Sequence, residues 1–272
     1  YWSDVTVRSD EGSPTIQPSV YRTVGIDVAA IRQVLDAAPQ EKDASARNSS
    51  AIIELPMPDG TMELFSFVNS PVMAPELADK YPEIQVFVGQ GISDPSAVVR
   101  FDLTPQGFHA MILRSESTVY IDPFTSGDLT KCISYTKDSF YQNTDKQLEG
   151  CVVKEGHLGE VIQKPINTIQ TPESVKSKPQ VLQMGIQKSM MVSNGSTLRT
   201  YRLALACTGE YAQYHGGTVA GVLAAMNTSM ARVNGVFERD VCIRMVIVAN
   251  NDNVIFLNSG SDPYSNGNGG AM

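Results

Sequence analysis

The sequence lacks several features that would indicate a common class of protein. It has no run of five basic residues and a formal net charge of −8, which argues against nucleic acid as a partner because phosphate backbones attract clustered Lys and Arg. No stretch of 18 apolar residues occurs, so no membrane span and no membrane partner are predicted. The chain begins at Tyr1 without an initiator Met, and we expect a mature form from which a signal peptide has been removed.

Residues that commonly carry catalysis are scarce. The three histidines, His109, His157 and His215, do not show the four-residue spacing of an H-E-x-x-H zinc helix, and we expect structural roles for them. There is no G-x-S-x-G nucleophile elbow. The segment 89–91 reads G-Q-G, but it lacks the third glycine and the following helix of a dinucleotide-binding loop. We therefore predict no catalytic residue and no metal ligand in this chain.

The four cysteines form no C-x-x-C pair, which excludes a zinc knuckle and a thioredoxin-type motif. Cys132 and Cys151 flank a polar loop and can pair as a disulfide, with a plain buried thiol as the alternative. Cys207 and Cys242 are predicted at opposite ends of two adjacent strands. That separation is too long for a disulfide, and we interpret both as buried thiols.

The first 163 residues carry mainly strand signals. Apolar and polar residues alternate with a period of two between positions 51 and 140, and turn residues separate the runs. The predicted strands lie at 51–55, 62–68, 84–88, 97–103, 108–113, 118–121 and 132–135. A short helix is predicted over 28–37, and the first 20 residues are expected to be loosely ordered. Residues 1–163 are therefore predicted to form an antiparallel β-rich domain.

Residues 164–197 have the composition of a linker. They contain three prolines, four lysines and many Ser, Thr and Gln residues, without a strong periodicity. Exposed polar connections are also the preferred sites of proteolytic cleavage. We place the domain boundary and a processing region in this segment.

Residues 198–272 show a strand–helix–strand pattern. Strands are predicted at 198–207 and 241–249, and an amphipathic helix with one apolar stripe is predicted over 218–237. Such a unit gives a parallel strand pair, which needs cover on both faces, whereas one helix covers one face. We expect an incomplete α/β domain that packs on the β-rich domain or self-associates. The predicted fold class is α+β overall.

Several segments resemble one known family. T-G-E-Y-A at 208–212, after the strand at 201–205, and V-F-E-R-D at 236–240 resemble the start of the catalytic domain of bacterial secreted reprolysin-like (adamalysin-type) zinc metallopeptidases. Other segments resemble the propeptide of the same proteins, at 55–60, 70–77, 81–84, 107–111 and 120–123. The resemblance covers most of residues 24–262. It implies a β-rich propeptide domain over 1–163, a linker over 164–197 and the beginning of a zincin-type catalytic domain over 198–272.

The resemblance also implies a function. The family binds zinc through three histidines of an extended H-E-x-x-H-x-x-G-x-x-H motif, and the Glu is the general base. We expect this motif beyond Met272, so that the chain by itself binds no zinc and is inactive. The full-length protein is then expected to be a secreted zinc endopeptidase acting on protein or peptide substrates.

Residues 1–197 are expected to act as a propeptide that assists folding and maintains latency, with the chain's own catalytic domain as its partner. Some zincin propeptides inhibit through a cysteine thiolate on the zinc. Cys151 is the candidate for such a residue, beside the disulfide and buried-thiol alternatives given above. The alternative function is a non-enzymatic secreted β-rich binding module.

Overall fold

The computed structural model describes residues 1–7, 12–142 and 197–264. Nine strands form one antiparallel sheet in the order β1-β2-β9-β8-β7-β6-β5-β4-β3. They are β1 (Trp2–Asp4), β2 (Arg22–Ile26), β3 (Ile52–Pro56), β4 (Met62–Asn69), β5 (Gln85–Gly91), β6 (Val98–Thr104), β7 (Gly107–Leu113), β8 (Val119–Pro123) and β9 (Lys131–Thr136). The helices of this part are α1 (Val28–Asp36), α2 (Pro75–Ala78) and α3 (Lys137–Gln142). The predicted antiparallel β-rich architecture is confirmed.

All seven predicted strands are present, as β3 to β9, but the expectation of a loosely ordered N-terminus is wrong for its first residues. Trp2–Asp4 forms β1, which pairs with the unpredicted strand β2. The Trp2 ring packs edge-on against Phe108, with centroids 5.3 Å apart. A single aromatic anchor of this size can hold a segment whose average composition is polar.

The sheet curls until its two edge strands approach each other. The Trp2 indole N–H in β1 donates to the carbonyl of Glu54 in β3 at 2.7 Å, and the Glu54 N–H donates to the Tyr1 hydroxyl at 2.7 Å. These side chains satisfy backbone groups that an open sheet edge would leave unpaired. The nearly closed sheet therefore has an inner face and an outer face.

The inner face holds an apolar core. Phe67, Phe87 and Phe101 lie in mutual ring contact there, and the Phe87 and Phe101 rings stack at 5.0 Å. Ile31 and Leu35, one turn apart on α1, are buried in the same cluster. This helix begins after Asp27, whose carboxylate accepts a hydrogen bond from the Ala30 N–H at 3.0 Å. The curled sheet and α1 thus enclose one apolar core.

The C-terminal part contains β10 (Arg199–Leu203), α4 (Gly209–Tyr214), α5 (Val219–Val241) and β11 (Ile243–Ile247). Strands β10 and β11 pair in parallel, as the strand–helix–strand pattern predicts. The helix predicted over 218–237 is present as α5, which begins after its N-cap Thr218 and ends at Val241 rather than at Phe237. It stops where Cys242 adopts the left-handed conformation, with φ of 55°.

The N-terminal sheet and the C-terminal part lie in one compact unit, and α5 packs across β5, β6 and β7 on the outer face. The expected packing of the C-terminal part on the β-rich part is thus present. Most of the predicted linker, 164–197, lies outside the described residues, so the three-part division stays a prediction. Among the helices that the structure describes, none is long and apolar enough to cross a membrane.

Candidate functional site

Helix α5 has two differently built sides. The first is the predicted apolar stripe, whose Val222, Leu223, Met226 and Met230 are buried against the β10–β11 pair and residues 72–86. Phe237, which the stripe also included, is 40% exposed. The other side faces the nine-stranded sheet and was not recognised in the sequence. Its members are small or polar: Gly221, Thr228, Arg232, Gly235 and Glu238.

Glycine at position 235 lets the helix approach the sheet closely. A Cβ atom there would lie 2.9 Å from Met111 Cε and 3.1 Å from Arg100 Cγ. Both of those residues point outward from neighbouring strands, where Arg100 in β6 is paired with Met111 in β7. The short distance between helix and sheet places the α5 side chains within hydrogen-bond reach of the strands.

A network of charges joins one end of α5 to the sheet. The Arg100 guanidinium of β6, whose side chain is 2% exposed, forms an ion pair with Glu238 of α5. Arg244 of β11 contacts the other Glu238 oxygen through its Nε at 2.6 Å. It also binds Glu41 in bidentate fashion, at 2.7 and 2.8 Å. Ser70 completes the network by donating to Glu41 at 2.6 Å and accepting from Arg100 at 2.9 Å.

The network shifts the ionisation of its members. Burial lowers the pKa of Arg100, which the nearby Glu238 carboxylate opposes. For Glu41, burial works against ionisation, but the hydrogen bonds from Arg244 and Ser70 outweigh it and lower the pKa. The pKa of Arg244 is raised, because its two carboxylate partners outweigh its burial. The shifts of Glu41 and Arg244 both favour the charged form, and each cation of the network faces an anion.

A second cluster of charges lies further along α5. Arg232 donates to Asp122 of β8 at 2.5 Å, and the Tyr135 hydroxyl donates to the other Asp122 oxygen at 2.7 Å. The Arg232 guanidinium also lies over the Tyr120 ring, 5.2 Å from its centroid. Burial and the Asp122 charge raise the pKa of Tyr135, so its hydroxyl remains a donor. Asp122 is 3% exposed, and these two donors provide hydrogen bonds to both of its buried oxygens.

A third contact involves one of the histidines. Asp102 of β6 accepts a hydrogen bond from the Thr228 hydroxyl of α5 at 2.8 Å. The same Asp102 oxygen lies 3.1 Å from Nδ1 of His109 in β7. His109 is thus held by a carboxylate within the sheet.

The edge of the small parallel sheet is closed from the N-terminal side. Ile247 of β11 donates to the Val72 carbonyl and accepts from the Ala74 N–H, both at 2.8 Å. Met245, two residues before Ile247 in β11, is bound by the side chain of Asn234 in α5. That side chain accepts from the Met245 N–H at 2.9 Å and donates to the Met245 carbonyl at 2.8 Å. Residues 72–74 and one amide therefore take the place of a further strand beside β11.

A cleft of about 360 Å³ opens where the sheet meets α4 and α5. His109 and His215 both line it. Gln106 also lines the cleft, and its side chain donates to the Gly221 carbonyl of α5 at 2.9 Å. Burial lowers the pKa of His215, whose ring packs against Tyr211 with centroids 4.5 Å apart. The two imidazoles act here as packing and hydrogen-bonding groups.

The described histidines are not grouped as metal ligands. No group of three or more His, Cys, Asp or Glu side chains that could hold a metal ion occurs among residues 1–7, 12–142 and 197–264. His109 is engaged by Asp102, and His215 by aromatic rings. These residues therefore do not match the three-histidine zinc site of the family.

The cysteines are placed only in part. Cys132 is fully buried in β9, and burial raises the pKa of its thiol. Cys151 and His157 lie outside the described residues, so the disulfide between Cys132 and Cys151 and the inhibitory role of Cys151 stay predictions. Cys207 is buried as expected, whereas Cys242 is half-buried at the end of α5.

Residues 197–272 match the sequence model of the metallopeptidase family M12B, reprolysin-like. The described part of the match contains β10, α4, α5 and β11, and it therefore includes both sides of α5. This finding confirms the predicted resemblance for that segment. A search of curated proteins gave no match to the chain.

Proposed function

We propose, from the premise that residues 197–272 are reprolysin-like, that residues 1–197 are the propeptide of a secreted zinc-dependent endopeptidase. In this proposal the chain is part of a zymogen. The N-terminal sheet assists folding of the catalytic domain and contributes to its latency until the connection is cut. The metallopeptidase relationship rests on the family match, and the propeptide role rests on the contact between the sheet and α5.

The observation that carries the propeptide role is the outer face of the sheet. Arg100, Asp102 and Asp122 are each no more than 3% exposed, and each has a partner on α5. Buried charges of this kind are costly without partners, so the sheet surface is adapted to this helix.

The N-terminal part also supplies structure that the parallel strand pair needs. Residues 72–74 extend the sheet beside β11, and Val72, Leu77 and Ile84 contribute to the core under α5. A strand–helix–strand unit leaves one sheet face and two edges without cover. The N-terminal part covers one of those edges and provides a template on which α5 can form, as a folding aid would.

The first experiment concerns the enzyme. We would determine the coding sequence around this chain and look for H-E-x-x-H-x-x-G-x-x-H downstream of position 272. The full-length protein would then be assayed for zinc content and for hydrolysis of an unfolded protein substrate, with and without a chelator. A continuation without the motif would refute the endopeptidase, whereas a stable protein with a stop codon near position 272 would support the non-enzymatic binding module.

The second experiment concerns latency. If the Cys151 thiolate binds the zinc of the zymogen, Cys151→Ala in the full-length protein should release activity before the propeptide is removed. Cys132→Ala is the matched control, because loss of a disulfide would affect both variants alike. Unchanged latency in Cys151→Ala would remove the inhibitory role and leave the folding role as it stands.

A further inference from the structure

We infer that the outer face of the sheet is a self-sufficient docking surface for α5 and β11, so that residues 1–142 and 197–264 remain bound after the chain between them is cut. This inference deepens the proposed function, since it names the surface by which the propeptide holds its partner. It does not depend on peptidase activity, because it concerns only the contact between two parts of the chain.

The contacts that carry the inference lie far from the connecting segment in sequence. On the N-terminal side they come from residues 41–122, and on the other side from residues 221–252. The connection leaves the described structure after position 142 and returns at 197. None of the ion pairs described above includes a residue adjacent to those two points. Cutting the connection therefore leaves these bonds in place.

The two surfaces are complementary in charge. Arg100 of the sheet meets Glu238 of α5, while Asp122 of the sheet meets Arg232 of α5. The polarity thus reverses along the helix, and one register of α5 satisfies both pairs. A helix shifted along its axis, or one with another charge pattern, would leave buried charges unpaired. This arrangement gives the surface specificity for its partner.

Shape adds a second requirement. Gly235 must lie over Met111 and Arg100, where a side chain would collide. Gly221 must present its carbonyl to Gln106. The partner must also offer β11 to residues 72–74, which bind its backbone with two hydrogen bonds. The surface therefore recognises a helix and a strand edge together.

The same side of α5 can be exposed to water once the partner is gone. Thr228, Arg232 and Glu238 are polar, and the glycines between them add no apolar area. The apolar stripe of the helix packs on β10 and β11 and also on residues 72–86, so the N-terminal part adds apolar contacts to the charged ones. The interface therefore combines buried ion pairs with an apolar contact, as stable association of the two pieces requires.

The test uses the full chain with a recognition sequence for a specific protease introduced within residues 164–197. After complete cleavage at neutral pH, the two pieces are analysed by size-exclusion chromatography and by sedimentation. We expect them to migrate as one particle with the mass of the uncut chain. Separation of the pieces at micromolar concentration, from a chain that was folded before cleavage, would overturn the inference.

Variants identify the bonds responsible. Glu238→Gln leaves Arg100 buried without its carboxylate and should weaken association of the cut pieces at least about thirtyfold. Lys80→Met is the matched control, because Lys80 pairs with Asp252 across the same boundary but is half exposed, and no measurable change is expected. Equal weakening in both variants, or none in Glu238→Gln, would show that the charges do not hold the pieces together.

A milder variant covers the case in which Glu238→Gln does not fold. Thr228→Val keeps the volume of the side chain and removes the hydroxyl that donates to Asp102. We expect about a tenfold weaker association, since the bond is to a charged acceptor. If the pieces stay bound but the full-length protein shows no peptidase activity, the docking surface stands and the proposed enzyme does not. Activity in a protein whose cut pieces separate would give the opposite conclusion.

Discussion

The inner and outer faces of the nine-stranded sheet are built by the same strands but covered in different ways. On β6, the residues Val99 and Phe101 point into the aromatic core, while Arg100 and Asp102 point toward α5. Each of these side chains is no more than 2% exposed. Burial is therefore equal on the two faces, and the chemistry of the cover differs.

Because of that difference, the inner face mainly determines the stability of the sheet, and the outer face determines which partner the sheet recognises. Apolar side chains on the inner face gain free energy from any close-packed neighbour of the right volume. Charged side chains on the outer face gain it only when the opposite charge stands at the right place. The inner face can thus hold the fold together by itself, whereas the outer face is stable only when α5 is bound.

Truncation of Phe101 should have the largest effect, and it should affect the whole molecule. Phe101→Ala removes a fully buried ring that stacks on Phe87, and we expect a loss of about 3–5 kcal/mol in the free energy of unfolding. Denaturant unfolding followed by the fluorescence of Trp2 and by the circular dichroism of the helices should shift together. Leu64→Ala, at a site 44% exposed, is the control. Equal effects of the two variants would contradict the assignment of the core.

Removal of the Glu238 carboxylate should have the next largest effect. It should separate the unfolding transition seen by circular dichroism of the helices from the one seen by Trp2 fluorescence. Glu238→Gln removes the ion-pair partner of the buried Arg100 guanidinium, and we expect a loss of about 3 kcal/mol in the free energy of unfolding. The helical signal should then disappear at lower denaturant than the Trp2 fluorescence, because the sheet keeps its inner core. Glu76→Gln, at an exposed position, should leave both transitions unchanged. A single shared transition in Glu238→Gln would show that the sheet is not stable without α5.

The sequence predicts the inner face better than the outer one. Strands such as β6 alternate apolar and polar residues, which identified seven of the nine strands of the sheet and their antiparallel pairing. The same alternation is typical of a sheet with one face in water. Nothing in the local pattern tells that Arg100 and Asp102 are buried, because their partners on α5 lie more than a hundred residues away in the chain.

The polar side of α5 escaped recognition for a related reason. The helical periodicity of apolar residues indicates only the stripe that faces β10 and β11. Gly221, Thr228 and Gly235 contribute little to such a signal, although they recur on one side of the helix. A charged residue near two glycines in a helix is, on its own, weak evidence that this side of the helix contacts another part of the protein. The structure shows the role of this side, because it places Arg232 opposite Asp122.

Asn234 provides a smaller test of how the C-terminal part is completed. Its side chain makes two hydrogen bonds to the backbone of Met245, and Asn234→Ala would leave that N–H and carbonyl without these partners. We expect a loss of about 1–3 kcal/mol, again seen first in the helical signal. Asn234→Asp keeps an acceptor for the N–H but places a buried carboxylate oxygen against the Met245 carbonyl, so it should destabilise at least as much as alanine. The reverse order of the two variants would contradict this bonding.

Acidification should have the smallest and most selective effect. The pKa of Glu41 is lowered in the folded protein, because its bonds to Arg244 and Ser70 outweigh its burial. A carboxyl group whose folded pKa lies below its unfolded value stabilises the protein above the unfolded pKa, near 4.3, and loses that contribution as the pH falls through the folded pKa. The stability difference between wild type and Glu41→Gln should therefore shrink below about pH 4 and be constant above about pH 6. Denaturant midpoints measured across this range would show it, and a difference that grows on acidification would mean that Glu41 is not held as a carboxylate by the outer-face network.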